Sequence, residues 1–138
     1  MMNEIVLVED DPDDIYLFRQ ACAKSVNSPK VKVLNSGKAL LEEASAASNK
    51  NRVYLLDLNM PEMSGLEALD HLNKSEQLNE MIVVCYSTSD SPSDIHQAYQ
   101  LGAKSFLSKP SSISELTEMI NTITRYWFKY NKIGSVEV

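Results

Sequence analysis

Ile5-Val6-Leu7-Val8-Glu9-Asp10-Asp11-Pro12-Asp13-Asp14 reads as four apolar residues followed by five acids broken by one proline. A continuous apolar run of that length suits a strand covered on both faces. The acids then open a helix. Asp11 suits its N-cap, Pro12 its first position, and the acids beyond them the positive end of its dipole. Ile15, Phe18 and Cys22 follow on one face of that helix.

The same alternation continues outward from this unit. Val31 and Val33 mark a second, shorter strand, and residues 36–47 form a helix with Ala39, Leu40 and Ala44 inward. Residues 46–51 are a polar connection. Val53-Tyr54-Leu55-Leu56 is a third strand that ends at Asp57, and residues 59–64 form a loop containing Pro61. Ser64 and Glu67 have the spacing of a capping box for a helix carrying Leu66, Leu69 and Leu72. Residues 81–86 make a fourth strand. Ser91-Pro92 opens a fourth helix and Gly102 ends it. Residues 105–107 are a short fifth strand. Ser112 and Glu115 predict a second capping box, on a last helix carrying Leu116, Ile120, Ile123 and Trp127.

Five strands alternating with five helices predict an α/β fold. It is a doubly wound parallel sheet with helices on both faces and right-handed crossovers. Such folds place their working site beyond the carboxyl ends of the strands, where the strand order switches. Four signals sit at those ends: Glu9-Asp10-Asp11, Asp57, Ser87-Thr88-Ser89 and Lys109-Pro110. Carboxylates, a hydroxyl and an ammonium thus converge on one shallow site. A carboxylate needs such companions to accept a phosphoryl group with the help of a divalent cation.

Bulk composition narrows the function classes. The chain has 138 residues, which fits one domain over 1–138, with a core of about 4–130 and a tail of 131–138. Its formal net charge of −6 and lack of a basic run argue against nucleic acid as a partner. No apolar run approaches the roughly 18 residues of a membrane helix. The start, Met1-Met2-Asn3-Glu4, lacks the basic and apolar regions of a signal peptide, so a cytoplasmic location is expected. Cys22 and Cys85 are the two cysteines, and both read as small core hydrophobes.

The chain resembles a response regulator receiver domain, a relative of the chemotaxis regulator of the same fold. The resemblance covers essentially the whole chain. Its motifs are residues 6–11 (Val-Leu-Val-Glu-Asp-Asp), residues 56–65 (Leu-Asp-Leu-Asn-Met-Pro-Glu-Met-Ser-Gly), Ser87-Thr88-Ser89 and Lys109-Pro110. Within the family, stand-alone receivers paired with bacteriophytochrome-type kinases look closest. The Glu-Asp-Asp start, the Asn-Met-Pro loop and the aromatic last helix carry that likeness.

The resemblance implies a five-stranded sheet in the order 2-1-3-4-5 and a stand-alone member of a two-component phosphorelay. It implies a signalling domain rather than an enzyme. Asp57 is the expected phosphoacceptor, by covalent carboxylate chemistry. Glu9, Asp10, Asp57 and the Asn59 backbone carbonyl are expected to hold Mg²⁺ or Mn²⁺, and Asp11 to act as helix cap. Ser87 is expected to donate a hydrogen bond to a phosphoryl oxygen. Lys109 is expected to pair with Asp57 first and with the phosphoryl group later. Phe106 takes the switch-aromatic position, and the Lys109–Pro110 peptide is expected to be cis.

The implied partners are a histidine kinase or phosphotransfer protein and an unknown downstream protein. Tyr126, Trp127, Phe128 and Tyr130 cannot all face the core, which points to a homodimer through the last helix. Three rival readings are a pseudo-receiver that works without phosphorylation, a flavodoxin-like cofactor carrier, whose flavin phosphate the acids after the first strand would repel, and a phosphatase of the haloacid dehalogenase type. The phosphatase would want a second acid two residues after Asp57, where Asn59 stands.

Overall fold

The computed structural model describes residues 3–46 and 51–132. The chain alternates strand and helix: β1 (Glu4–Val8), α1 (Pro12–Lys24), β2 (Lys30–Leu34), α2 (Gly37–Ala46), β3 (Arg52–Leu56), α3 (Gly65–Lys74), β4 (Val83–Ser87), α4 (Pro92–Gln100), β5 (Ser105–Ser108) and α5 (Ile113–Ile123). A 3₁₀ turn, Gln77–Glu80, precedes β4, and a π-helical segment, Thr124–Tyr130, extends α5. The strands are parallel and lie in the order β2-β1-β3-β4-β5. This is the doubly wound α/β sheet expected from the sequence. Of the polar connection between α2 and β3, residues 47–50 lie outside the described residues, as do residues 133–138 of the tail.

Side chains leave a strand on alternate faces, so each central strand feeds two cores. Val6, Val8, Tyr54, Leu56, Val83 and Cys85 point to one side and pack with Leu40, Ala44, Leu69, Leu72 and Ala98 of α2, α3 and α4. Ile5, Leu7, Val53, Leu55, Val84 and Tyr86 point to the other and pack with Phe18, Cys22, Leu116, Ile120 and Ile123 of α1 and α5. Both cysteines are buried and free, one on each side of the sheet. Burial of a large aliphatic or aromatic side chain contributes about 1.5–3 kcal/mol.

The helix starts follow their local chemistry. The Asp11 side chain accepts the Asp13 amide at 2.8 Å, with Pro12 at the first helical position. Ser64 and Glu67 form the reciprocal pair, each bond 3.1 Å long. Ser91 accepts the Asp94 amide at 3.2 Å. Ser112 caps α5 through the Glu115 amide at 3.1 Å, which is one half of the expected box. Gly102 follows α4 with φ 105°, a left-handed turn that a side chain resists.

Three details depart from the sequence expectations. β4 begins at Val83, because Met81 ends the 3₁₀ turn with its amide on the Leu78 carbonyl. The last helix widens into a π segment after Ile123. Trp127 and Phe128 are half-buried against the α1–α5 core, while Tyr126 and Tyr130 face out. A charged residue also opens β3. Arg52 is buried, and it bonds Glu4 at 2.8 Å, Glu43 at 2.7 Å and the Tyr54 hydroxyl at 3.0 Å. This cluster closes the end of the sheet opposite the acidic turn.

Candidate functional site

Strand register places the site. Val8 pairs with Leu56 across β1 and β3, so the next residues, Glu9 and Asp57, stand side by side. Adjacent strands lie about 4.8 Å apart. Backbone bonds fix both acids: the Glu9 amide donates to Leu34 at 2.9 Å and the Asp57 amide to Val8 at 3.1 Å. Leu56 pairs with Cys85, which carries Ser87 to the same edge. Ser87 in turn pairs with Ser108, so Lys109 comes next, its amide donating to the Ser87 carbonyl at 3.0 Å.

Glu9, Asp10 and Asp57 each offer a carboxylate oxygen, and these oxygens all lie within 4.8 Å of one another. Glu9 and Asp57 are buried, at 1% and 4% exposure. Burial pushes both carboxyl groups above the usual range, against the pull of Lys109. The Asp57 charge adds to this effect at Glu9, and the Asp10 charge adds to it at Asp57. Two carboxylates about 4 Å apart repel by roughly 4 kcal/mol at an effective dielectric near 20.

Lys109 is the counter-charge. Its ammonium donates to Glu9 Oε1 at 2.5 Å and to Asp14 Oδ2 at 3.0 Å, and lies 3.7 Å from Asp57 Oδ1. The Tyr86 ring lies beneath it, 5.5 Å from ammonium to ring centre. Burial works against the lysine's charge, but the bonds to Glu9 and Asp14 outweigh it and hold its pKa above the ordinary value. The expected pairing with Asp57 is therefore the longest of the three contacts.

Glu9 Oε2 is also occupied, by the amides of Asp10 and Asp11, both at 3.2 Å. The Asn59 amide faces Asp57 Oδ1 at 3.4 Å. The donor set is all carboxylate oxygen, the ligand type that a hard divalent cation prefers. The residues present fit such an ion.

Ser87, Phe106 and Pro110 lie around this core. Ser87 is fully buried, and its hydroxyl accepts the Ser89 amide at 3.1 Å. Ser89 donates in turn to Asp94 of α4 at 2.7 Å. Phe106 is half-buried and already packs inward against the α2–α3–α4 core. The cis peptide expected at Lys109–Pro110 is a correction: no described peptide bond is cis. Trans is the favoured form of an X–Pro bond by about 0.5–1 kcal/mol, and Lys109 reaches Glu9 from it.

The start of α3 supports Asp57 from behind. The Gly65 amide donates to the Leu58 carbonyl at 3.0 Å. A Cβ on Gly65 would stand 2.8 Å from Leu58 Cα and 3.0 Å from the Asp57 carbonyl carbon.

Two residues of the site are absent from the sequence reading. Asp14 is read there as a helix-dipole acid and Tyr86 as a strand residue, yet both touch Lys109. Their signal is positional. Asp14 sits in the first turn of α1, and Tyr86 precedes Ser87 at the end of β4.

A doubly wound sheet with carboxylates on its first and third strand ends and a lysine after the fifth defines a class of signalling domain. The chain belongs to the response regulator receiver domain family, whose model matches residues 5–121. It is 32% identical over 132 residues to the probable methanogenesis regulatory protein FilR2 of Methanothrix harundinacea, covering 93% of this chain and 85% of that one. It is 28% identical over 130 residues to the response regulator Rcp1 of Synechocystis, covering 91% and 88%. The crystal structure of the phosphorylated cyanobacterial phytochrome response regulator RcpA superposes with a TM-score of 0.83 at 28% identity, covering 98% of this chain and all of that one. A crystal structure of Rcp1 is of its Mn²⁺-bound form. The protein is thus a response regulator of two-component signalling. Among the described residues, no helix is long and apolar enough to cross a membrane.

Proposed function

We propose that this domain accepts a phosphoryl group on Asp57 and passes the signal on by protein–protein contact. One Asp57 carboxylate oxygen attacks the phosphorus of a phosphohistidine. The P–N bond breaks, its electron pair stays on the imidazole, and an acyl phosphate forms. The observation that carries this reading is the convergence of Glu9, Asp10, Asp57 and Lys109 at one sheet edge.

Glu9, Asp10, Asp57 and the Asn59 carbonyl would hold Mg²⁺, or Mn²⁺ in its place. Held there, such an ion would supply the positive charge that lets a phosphoryl group come up to the carboxylates. Lys109 supplies a fixed positive charge, 3.7 Å from Asp57 at rest. Ser87 turns its hydroxyl to a phosphoryl oxygen, which releases the Ser89 amide. Phe106 moves with it and alters the face of α4, β5 and α5. A phosphoryl group shifts such a balance only by its differential affinity for the two states.

The donor is a histidine kinase or phosphotransfer protein of the cytoplasm, and the receiver of the signal is another protein. The outward Tyr126 and Tyr130, with 52% and 58% exposure, support a second copy docking at the end of α5.

The test is incubation with labelled acetyl phosphate and Mg²⁺. The wild type should take up one label and Asp57→Asn none. Labelling that persists in the variant removes Asp57 from the role.

A further inference from the structure

Lys109 has three carboxylate neighbours, and two of them, Glu9 and Asp57, belong to the cation cluster. The third, Asp14, stands outside it. Both Glu9 oxygens are engaged: Oε2 by two backbone amides and Oε1 by the lysine at 2.5 Å. A divalent cation that takes Glu9 through Oε1 meets that ammonium there, and two cations on one oxygen repel.

The ammonium cannot simply withdraw into water, since the Lys109 side chain is only 9% exposed. A buried charge without a partner is costly. Asp14 offers a way out. It already accepts from Lys109 at 3.0 Å, and its own side chain is 40% exposed. It can take the full ion pair while staying hydrated.

We propose that Asp14 is a positioning residue, the alternative counter-ion that lets Lys109 give up Glu9 to a divalent cation. The inference rests on the cation site proposed above. In the resting protein Lys109 is shared between Glu9 and Asp14. When the ion binds, the lysine pivots onto Asp14 and remains paired beside Asp57.

The test is a double-mutant cycle read as Mn²⁺ affinity, with free Mn²⁺ counted by electron paramagnetic resonance. Asp14→Asn should weaken binding by about tenfold, and Asp14→Glu should restore most of it. Lys109→Met removes the competing cation and should bind Mn²⁺ more tightly than the wild type. In that background Asp14→Asn should cost less than about threefold, because no lysine needs a second partner. Equal weakening in both backgrounds would assign Asp14 a plain charge or structural role and overturn the proposal. So would an unweakened Asp14→Asn. A wild type that binds no Mn²⁺ at all would sink the cation site itself, an outcome distinct from an additive cycle.

Discussion

Replacing Gly65 by alanine should damage the site from behind without touching a charged group. The new methyl would stand 2.8 Å from Leu58 Cα and 3.0 Å from the Asp57 carbonyl carbon, with the Asp57 carbonyl oxygen closer still. Carbon atoms pack comfortably at about 3.5–4.0 Å. The first turn of α3 must therefore back away from the end of β3 by roughly 1 Å. All three contacts are backbone, so no side chain can rotate aside. Overpacking of this kind costs about 1–3 kcal/mol. Alanine recovers at most about 1 kcal/mol through helix propensity, and less at a first-turn position. A net loss of about 1–2 kcal/mol lowers Tm by roughly 3–8 °C in a chain of this size.

The chemistry should suffer more than the stability. A displacement of about 1 Å at a reacting group can cost on the order of 100-fold in rate. Thermal denaturation gives the first number, and the rate of labelling by acetyl phosphate gives the second. Gly37→Ala is the control. Its methyl meets the Met63 side chain, Sδ at 2.9 Å, Cγ at 3.0 Å and Cβ at 3.1 Å; the thioether arm can rotate aside and Cβ has to give by only a few tenths of an ångström. Gly65→Ala with an unchanged Tm and an unchanged labelling rate would refute the close-packing argument.

Arg52→Ala should destabilise the fold by about 3 kcal/mol, because it strips the buried counter-charge from Glu4 and Glu43. Urea denaturation at neutral pH measures it, and a loss below about 0.5 kcal/mol would demote the cluster to a surface contact. Tyr54 and Tyr86 carry hydroxyls that burial pushes up to about 12. The unfolded chain releases those protons near pH 10 while the folded chain keeps them, so stability should hold below pH 10 and fall between pH 10 and 12. The loss should approach about 2–3 kcal/mol for each ring. Absorbance at 295 nm during a pH titration should show two of the six tyrosines ionising late.

How much of this the sequence disclosed depends on how local each cause is. The strands were legible because runs such as Ile5-Val6-Leu7-Val8 are buried on both faces. The caps at Asp11, Ser64 and Ser91 were legible because each bond spans two or three residues. The candidate site was legible because its carboxylates and lysine each end a strand. The role of Asp14 was not, since Lys109 is 95 residues away and an acid in a first helical turn already has a local explanation. The π segment escaped for a related reason. Leu116, Ile120, Ile123 and Trp127 keep a helical spacing whichever way the last turns are wound. Arg52 stood beside four apolar residues of β3, and its carboxylate partners lie on other elements. The proline bond is a choice between two isomers that the dipeptide alone does not dictate.

The one tryptophan has a practical consequence for spectroscopy. Trp127 lies about 20 Å along the helix from the lysine end of α5, edge-on to Tyr126 at 4.9 Å. A bound ion or phosphoryl mimic cannot quench that indole by contact. Any change in its emission on adding a ligand is therefore a remote readout. It would time the arrival of the signal at the far end of the molecule, separately from its start.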